Sequence, residues 1–198
     1  MFLRMALIGC GMMGGSLALA MRRARLVQQV VGYSPRTDDL RLALDRGVID
    51  AATSSIADAV QRADFVVLAV PVAVTEQVLK DIAPSLRPDA IIMDVGSTKQ
   101  NVISAAQAAL GPHAGQFVPA HPIAGKEVAG IAHADPDLYR GRQVILTPAR
   151  STRIGPLQQA TSLWEALGCR VITMDPQAHD AAFAAVSHLP HMTAFALM

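Results

Sequence analysis

IGCGMMGG, residues 8–15, contains a GxGxxG motif that follows an apolar run and opens a stretch with helical spacing. In a strand–turn–helix unit, the first glycine allows the tight turn, the second lets a pyrophosphate approach the backbone, and the third permits close packing of the helix on the strand. A lone GxGxxG can also be a turn that binds nothing. Its place inside a βαβ pattern favours dinucleotide binding at the helix N-terminus. The expected cofactor contacts are Gly9, Gly11, Met12, Met13 and Gly14.

The rest of the chain alternates short apolar runs with longer stretches at helical spacing, which is typical of parallel strands joined by crossover helices. We predict strands at residues 4–8, 29–33, 65–70, 90–94, 117–119, 143–147 and 170–173. We predict helices at residues 12–25, 38–46, 74–82, 99–110 and 154–167. The predicted fold class is α/β, with a Rossmann-type dinucleotide-binding domain and a mostly parallel sheet at residues 1–175. From residue 176 to 198 we expect the beginning of an all-helical C-terminal domain that the chain does not complete.

The composition narrows the function classes. The 198 residues carry a formal net charge of +1, which gives no electrostatic footprint for nucleic acid. The apolar runs are shorter than the roughly 20 residues that a membrane span needs, and the N-terminus does not resemble a signal peptide. Cys10 and Cys169 form neither a CxxC motif nor a disulfide framework. A reducing cytoplasm is the simplest compartment for such a protein.

The end of the second predicted strand bears on the choice of dinucleotide. A carboxylate there would bind the ribose 2′-OH of NAD, but the stretch GYSPRT, residues 32–37, has no acid. Ser34 and Thr37 can donate hydrogen bonds to a 2′-phosphate, and Arg36 can add charge to them. The alternative is a solvated loop arginine. We expect NADP, with NAD as the alternative cofactor, and we count Val70 and Pro71 after the next strand among the cofactor contacts.

Two segments follow neighbouring predicted strands. Residues 94–99 read DVGSTK, and Ser97 is expected near the nicotinamide because ligands bind beyond the carboxyl ends of strands in open α/β sheets. Alternatively, Ser97 or Thr98 only caps the next helix. Residues 121–127 read HPIAGKE, where a proline and a glycine among three ionisable residues indicate an ordered loop. Because both segments follow strands at the same edge of the sheet, His121 is expected beside Ser97. Without that convergence, His121 would be interpreted as a histidine satisfied within the core.

A further histidine pair lies near the C-terminus. His188 and His191 occur in SHLPH, downstream of His179 and Asp180, and their spacing of three places them on one helical face. The sequence shows no third ligand at metal-site spacing and no HExxH motif, so no metal is expected. A pair that faces the substrate or stabilises the structure is the favoured interpretation.

Taken together, four stretches resemble the prephenate/arogenate dehydrogenase family of tyrosine biosynthesis. They are IGCGMMGGSLA, DVGSTK, HPIAGKE with GIAHADPDLYRGRQVILTP, and HDAAFAAVSHLPH. The match runs in order over essentially the whole chain, and HPIAG(x)E together with SHLPH is its most specific part. The resemblance implies a dinucleotide-binding domain, a helical domain that dimerises and closes the active site, and oxidative decarboxylation of prephenate with hydride transfer to NADP or NAD.

The resemblance also implies roles for single residues. His121 matches the family histidine that hydrogen-bonds the substrate hydroxyl and acts as its base, and Ser97 matches the serine that orients this hydroxyl and the nicotinamide. Glu127 matches a glutamate of the active-site network. Lys126 departs from the family pattern, because relatives have a small hydroxyl residue there. The substrate contacts implied are His191, His188, Glu127 and Lys126.

Three other functions stay open. The first is the same chemistry on arogenate, which carries an amino acid side chain in place of the pyruvyl group. The second is a β-hydroxyacid dehydrogenase, which would need a catalytic lysine from its helical domain and which SHLPH disfavours. The third, from a different class, is a regulatory module that binds NADP without turnover. The expected partners are a small-molecule substrate and a second copy of the chain, with neither nucleic acid nor a membrane.

Overall fold

Apolar β-branched runs form the centre of an eight-stranded sheet in the computed structural model, which describes residues 1–185. The strands are β1 (Phe2–Ile8), β2 (Val27–Tyr33), β3 (Ala51–Ala52), β4 (Phe65–Leu68), β5 (Ile91–Asp94), β6 (Phe117–Pro122), β7 (Gln143–Leu146) and β8 (Arg170–Thr173). The helices are α1 (Met12–Arg23), α2 (Thr37–Asp45), α3 (Ile56–Val60), α4 (Val72–Ile82), α5 (Gln100–Ala109), α6 (Ile154–Ala166) and α7 (Pro176–Phe183).

The strand order is β3-β2-β1-β4-β5-β6-β7-β8, and the first six strands pair in parallel. This order is that of the doubly wound dinucleotide-binding fold, whose crevice opens where the chain turns from one half of the sheet to the other. Here that point lies between β1 and β4. β7 runs antiparallel to β6, and β8 then pairs in parallel with β7. The mostly parallel α/β sheet predicted from the sequence is confirmed.

The central strands are apolar on both faces because helices cover both. In β1, Met5 and Leu7 belong to a core cluster that also contains Trp164 of α6, whereas Ala6 and Ile8 belong to a second cluster on the other face. All four β1 residues are at most 1% exposed. Alternation of this kind explains why near-continuous apolar runs, rather than half-polar ones, mark this sheet.

Some predicted boundaries were wrong. The strand predicted at residues 117–119 continues to Pro122, so His121 and Pro122 lie in β6 rather than in a loop. The reason is tertiary: β7 returns beside this segment, pairing His121 with Ile145 and Pro122 with Val144. The helix predicted at residues 12–25 ends at Arg23, and Arg25 has a positive φ of 55°. The short elements β3 and α3 were missed.

Across residues 1–185, no helix combines the length and apolar character needed to cross a bilayer.

Candidate active site

The turn between β1 and α1, residues 9–14, is shaped by its three motif glycines. Gly9 has φ +99°, and a Cβ there would lie 2.4 Å from the carbonyl oxygen of Ala69. A Cβ on Gly14 would lie 2.7 Å from Cδ1 of Leu7, because α1 packs directly on β1 at this point. A Cβ on Gly11 would meet nothing within 4 Å. The middle glycine therefore faces open space at the helix N-terminus, where a pyrophosphate can reach the amides of Met12 and Met13.

A pocket of about 350 Å³ adjoins this turn, in the size range of small-molecule sites. Its wall includes six residues from the ends of β1, β2 and β4 and the helices that follow: Gly9, Gly11, Ser34, Asp39, Val70 and Pro71. Five of them were predicted as cofactor contacts, and the structure brings them together. Asp39 was not predicted. Burial raises the pKa of the Cys10 thiol to about 12, with a smaller contribution from the negative charge of Asp39. This thiol at the turn therefore stays protonated and unreactive.

The segment after β2 holds the residues expected to select the cofactor. Ser34 is buried, and its Oγ accepts a hydrogen bond from the Arg36 amide at 3.3 Å. The Arg36 side chain is 76% exposed, and its Nε lies 3.3 Å from Oδ2 of Asp39. Thr37 is exposed at the first residue of α2. The guanidinium is therefore free to move toward the pocket, but it has a carboxylate competitor one helical turn away.

A buried ion pair supports the segment after β5. Asp94, at the end of the strand, accepts hydrogen bonds from the Gly96 amide at 2.9 Å and the Ala120 amide at 3.2 Å. The ammonium of Lys99, which is fully buried, bonds Asp94 and also the Ala120 carbonyl at 2.9 Å. The pair thus ties the exposed Ser97 loop to the residue just before His121. DVGSTK was selected from the sequence for Ser97, and the ion pair between the first and last residues of this stretch, Asp94 and Lys99, was missed.

His121 lies at the carboxyl end of β6 and is 9% exposed. Its Nδ1 is 2.8 Å from Nε2 of His179, whose Nδ1 is 2.8 Å from Oδ1 of Asp180. We call these three residues the histidine relay. Phe183 closes over it: its ring lies edge-on to His121 at 4.8 Å and is stacked on His179 at 4.7 Å, measured between ring centroids.

Asp180 also caps the helix that follows Ser97. Its Oδ1 accepts from the Lys99 amide and its Oδ2 from the Gln100 amide, both at 2.9 Å. Burial alone would raise the pKa of this carboxyl, but the Gln100 amide, the His179 ring and the Lys99 amide together hold the pKa below its ordinary value. The first turn of α5 is thus capped from α7, and no side chain at its own N-cap residue, Lys99, caps it. The interpretation of Ser97 or Thr98 as the cap is wrong.

A second cavity, of about 340 Å³, opens beside His121 and is lined by Pro122, Ile123, Ala124, Gly125, Arg142 and Phe183 as well. Arg142 was missed, because nothing in the sequence marks an arginine before β7 as facing β6. Lys126 does not line this cavity, and its ammonium bonds Oδ2 of Asp135 at 2.8 Å. Glu127 is exposed in the same loop. His188 and His191 lie outside the described residues.

Within residues 1–185, no group of three or more histidine, cysteine, aspartate or glutamate side chains is arranged to hold a metal ion.

The glycine turn, the strand order and the crevice at the switch point define a Rossmann-type nucleotide-binding domain. More particularly, the chain belongs to the prephenate dehydrogenase family, because the family model described as "Prephenate dehydrogenase, nucleotide-binding domain" matches residues 17–173. The predicted resemblance is confirmed.

Individual relatives agree with this assignment. The chain is 35% identical to a prephenate dehydrogenase of Bacillus subtilis over 97% of its own length and 52% of the relative's. It is 37% identical to a cyclohexadienyl dehydrogenase of Zymomonas mobilis over 100% and 67%. A crystal structure of prephenate dehydrogenase from A. aeolicus, in complex with hydroxyphenyl propionate and NAD+, superposes with a TM-score of 0.93 at 38% identity, covering 98% of this chain and 68% of that one. The chain thus spans about half to two thirds of these relatives.

Proposed function

We propose that the protein is a prephenate dehydrogenase, which converts prephenate to 4-hydroxyphenylpyruvate and CO2 with NADP or NAD as the oxidant. The observation that carries the proposal is the position of His121, at the carboxyl end of β6 beside a cavity and on the same sheet edge as the glycine turn. The family membership supports the substrate class. The A. aeolicus relative, crystallised with hydroxyphenyl propionate and NAD+, supports the pairing of such a substrate with a dinucleotide.

A dinucleotide held at the glycine turn would supply the oxidant, the acceptor for a hydride from the carbinol carbon of the substrate. His121 accepts the proton of the carbinol hydroxyl as that hydride leaves, which is general base catalysis. The electron pair of the bond to the ring carboxyl then flows into the ring, CO2 departs, and the ring becomes a phenol after its oxygen is protonated. Ser97, in the exposed loop after β5, is proposed to orient the same hydroxyl.

Charged side chains near the cavity suit a substrate with two carboxylates. Arg142 lines the cavity and forms no ion pair with any described residue, so we propose that it attracts one carboxylate. Lys126 would have to leave Asp135 to do the same. Lys126, Glu127, His188 and His191 remain proposed substrate contacts, based on the family pattern.

The substrate and the base can be tested in one set of assays. Full-length protein is incubated with prephenate and with either dinucleotide, while reduced nicotinamide and CO2 are both measured. We expect equal amounts of the two products, and His121→Asn should lower kcat about 10²-fold or more while dinucleotide affinity stays unchanged. His113→Asn, remote in the 3₁₀ turn before β6, is the matched control. Absence of CO2 release from an active enzyme would contradict the proposal.

Arogenate is the second candidate substrate, because the Zymomonas mobilis relative is a cyclohexadienyl dehydrogenase. The two substrates differ only in the side chain, so the same base and the same hydride transfer serve both. Comparing kcat/KM for the two substrates decides between them. A higher value with arogenate would replace prephenate in the proposal.

We propose NADP as the preferred cofactor. Support comes from the missing acid at the end of β2 and from the exposed guanidinium of Arg36 at the start of α2. Arg36→Gln should weaken NADP binding about 10-fold and leave NAD binding nearly unchanged, since charge-assisted bonds are worth roughly 1.5–3 kcal/mol. Asp39→Asn should strengthen NADP binding. Arg41→Gln, on the same helix, is the control. Tighter binding of NAD by the unaltered protein would refute the preference.

The domain organisation and assembly are also proposals. Residues 1–175 would be the nucleotide-binding domain, and residues from 176 onward would open a helical domain through which two copies associate in the cytoplasm. The helix α7, which starts at Pro176, and the greater length of the relatives support this division. Light scattering on the full-length protein tests it, and a monomer at assay concentration would refute the dimer.

A further inference from the structure

We propose that His179 and Asp180 are positioning residues for His121, which hold its ring in the tautomer whose Nε2 accepts the proton of the substrate hydroxyl. The inference deepens the proposed function and rests on it for the identity of the proton donor. It concerns residues of α7, which lie beyond the strands of the nucleotide-binding sheet.

The direction of the relay follows from what each group can donate. An ionised carboxylate only accepts hydrogen bonds, so Nδ1 of His179, 2.8 Å from Asp180, must carry the proton. A neutral imidazole has one proton, which leaves the lone pair of His179 on Nε2. His121 Nδ1, 2.8 Å from that lone pair, must then be the donor. The lone pair of His121 is thereby placed on Nε2, the ring nitrogen that lies away from the relay.

The surroundings keep the relay in this order. His179 is fully buried, and Phe183 packs against both rings, so water has little access to the hydrogen bond between them. Such exclusion strengthens a hydrogen bond and makes the opposite tautomer of His121 costly, because it would set two lone pairs against each other. In active sites where a carboxylate orients a histidine, the carboxylate sets the tautomer and stabilises the ring when it becomes charged.

Asp180 cannot easily turn away from the relay. Its two oxygens already accept the amides of Lys99 and Gln100, which fixes the carboxylate against α5. Among the described residues, other charged groups near His121 include the buried pair of Lys99 with Asp94 below Ala120, and Arg142 at the cavity wall. The opposite charges of Lys99 and Asp94 neutralise each other. The positive charge of Arg142 disfavours a second positive charge on His121. Of these groups in the described part of the chain, Asp180 is the one that favours the charged ring of His121.

The tautomer can be measured directly on full-length protein with ¹⁵N-labelled histidine. We expect His121 to carry its proton on Nδ1 near neutral pH, with Nε2 as the unprotonated nitrogen. The spectrum needs no substrate and no variant of the relay, and His121→Asn serves only to assign the signal. A His121 protonated on Nε2 would overturn the proposal whatever the enzyme's substrate is.

Variants of His179 connect the tautomer to the reaction. His179→Leu removes both hydrogen bonds, and we expect kcat to fall about 10²-fold with KM within about 3-fold. His179→Gln offers an amide oxygen near the position of Nε2, so it should restore part of the rate. Asp175→Ala removes the N-cap of the same helix without touching the relay, and it should leave kcat nearly unchanged. Equal losses in all three variants would show a role in folding only.

The pH profile and a double variant provide a second decision. In Asp180→Asn, the rising limb of kcat/KM should shift to lower pH, because the charged His121 loses its stabilising carboxylate. Combined with His121→Asn, His179→Leu should cost little more than His121→Asn alone, since the relay acts through that ring. Additive losses or an unmoved limb would overturn the proposal. If neither prephenate nor arogenate is turned over, the proposed function fails, while the NMR measurement still decides the relay.

Discussion

An alanine at Gly14 would force α1 away from β1. Its Cβ would lie 2.7 Å from Cδ1 of Leu7, 2.8 Å from Cβ of Ala69 and 2.8 Å from the carbonyl oxygen of Gly9. Carbon atoms in favourable contact are about 3.5–4.0 Å apart, so the helix or the turn must retreat by roughly 1 Å. Overpacking of this kind costs about 1–3 kcal/mol.

The expected change in thermal stability follows from that cost. A Gly→Ala change inside a helix regains about 0.5–1 kcal/mol of backbone entropy, which leaves Gly14→Ala destabilised by up to about 2.5 kcal/mol net. For a chain of this size, each kcal/mol shifts Tm by about 2–4 °C. We therefore expect Tm to fall by up to about 10 °C, together with weaker dinucleotide binding because the turn itself is displaced.

Gly11→Ala is the matched variant, because a Cβ there meets no atom within 4 Å and the backbone, at φ −103°, is extended. Stability should stay within about 0.5 kcal/mol of the unaltered protein. The methyl group would instead occupy the space of the pyrophosphate. Loss of one charge-assisted hydrogen bond, at about 1.5–3 kcal/mol, corresponds to roughly 10- to 100-fold weaker binding.

Thermal unfolding and calorimetric titration with NAD and NADP separate the two effects. Gly155→Ala in α6, also in open space, controls for the added methyl group alone. A Gly11→Ala variant that unfolds several degrees earlier, or that binds either dinucleotide as tightly as the unaltered protein, would refute this prediction.

Three further predictions concern stability. Lys99→Met leaves the buried carboxylate of Asp94 without its partner and should lower the free energy of unfolding in urea by about 3–5 kcal/mol. Lys80→Met breaks an exposed ion pair and should lower it by less than about 0.5 kcal/mol. Similar losses in the two variants would refute this prediction. Tyr139→Phe removes the 2.8 Å hydrogen bond that buried Tyr139 donates to the Met13 carbonyl of α1, and it should cost about 1 kcal/mol. An unchanged urea midpoint would refute that. Burial would raise the pKa of Asp50, but hydrogen bonds from the Arg22 guanidinium and the Val30 amide lower it below its ordinary value. The contribution of Asp50 to the free energy of unfolding should therefore be complete above about pH 4 and vanish as pH falls further. A stability deficit of Asp50→Asn that grows in acid would contradict this sign.

The parts of the fold that sequence could predict are those that local chemistry determines. The apolar strands, the crossover helices and the glycine turn each depend on residues close together in the chain. β3, with two residues, and α3, with five, are too short to show a period, although Ser55 caps α3 as a local signal would suggest. The extension of β6 through His121 needed β7, which pairs with it from more than 20 residues away.

The candidate site divides in the same way. Gly9, Gly11, Ser34 and His121 belong to motifs, and their predicted positions at the sheet edge agree with the structure. The remaining residues of the site also lie close to the motifs and strands that the sequence predicts: Asp39, Arg142, and Lys99 with Asp94. Their roles depend on the direction in which each side chain points. Periodicity does not encode that direction, so only the folded chain could reveal it.

The histidine relay extends past the end of the nucleotide-binding domain as the fold defines it. The family model ends at residue 173, and β8 completes the sheet at Thr173. Yet the two groups proposed to orient His121 lie beyond that strand, and His179 is 58 residues away from His121 in the chain. Because Asp180 also caps α5 after the Ser97 loop, α7 connects the proposed base to the proposed orienting serine. In the proposed mechanism, the sheet and its glycine turn hold the dinucleotide, whereas the segment that follows them completes the geometry of proton transfer.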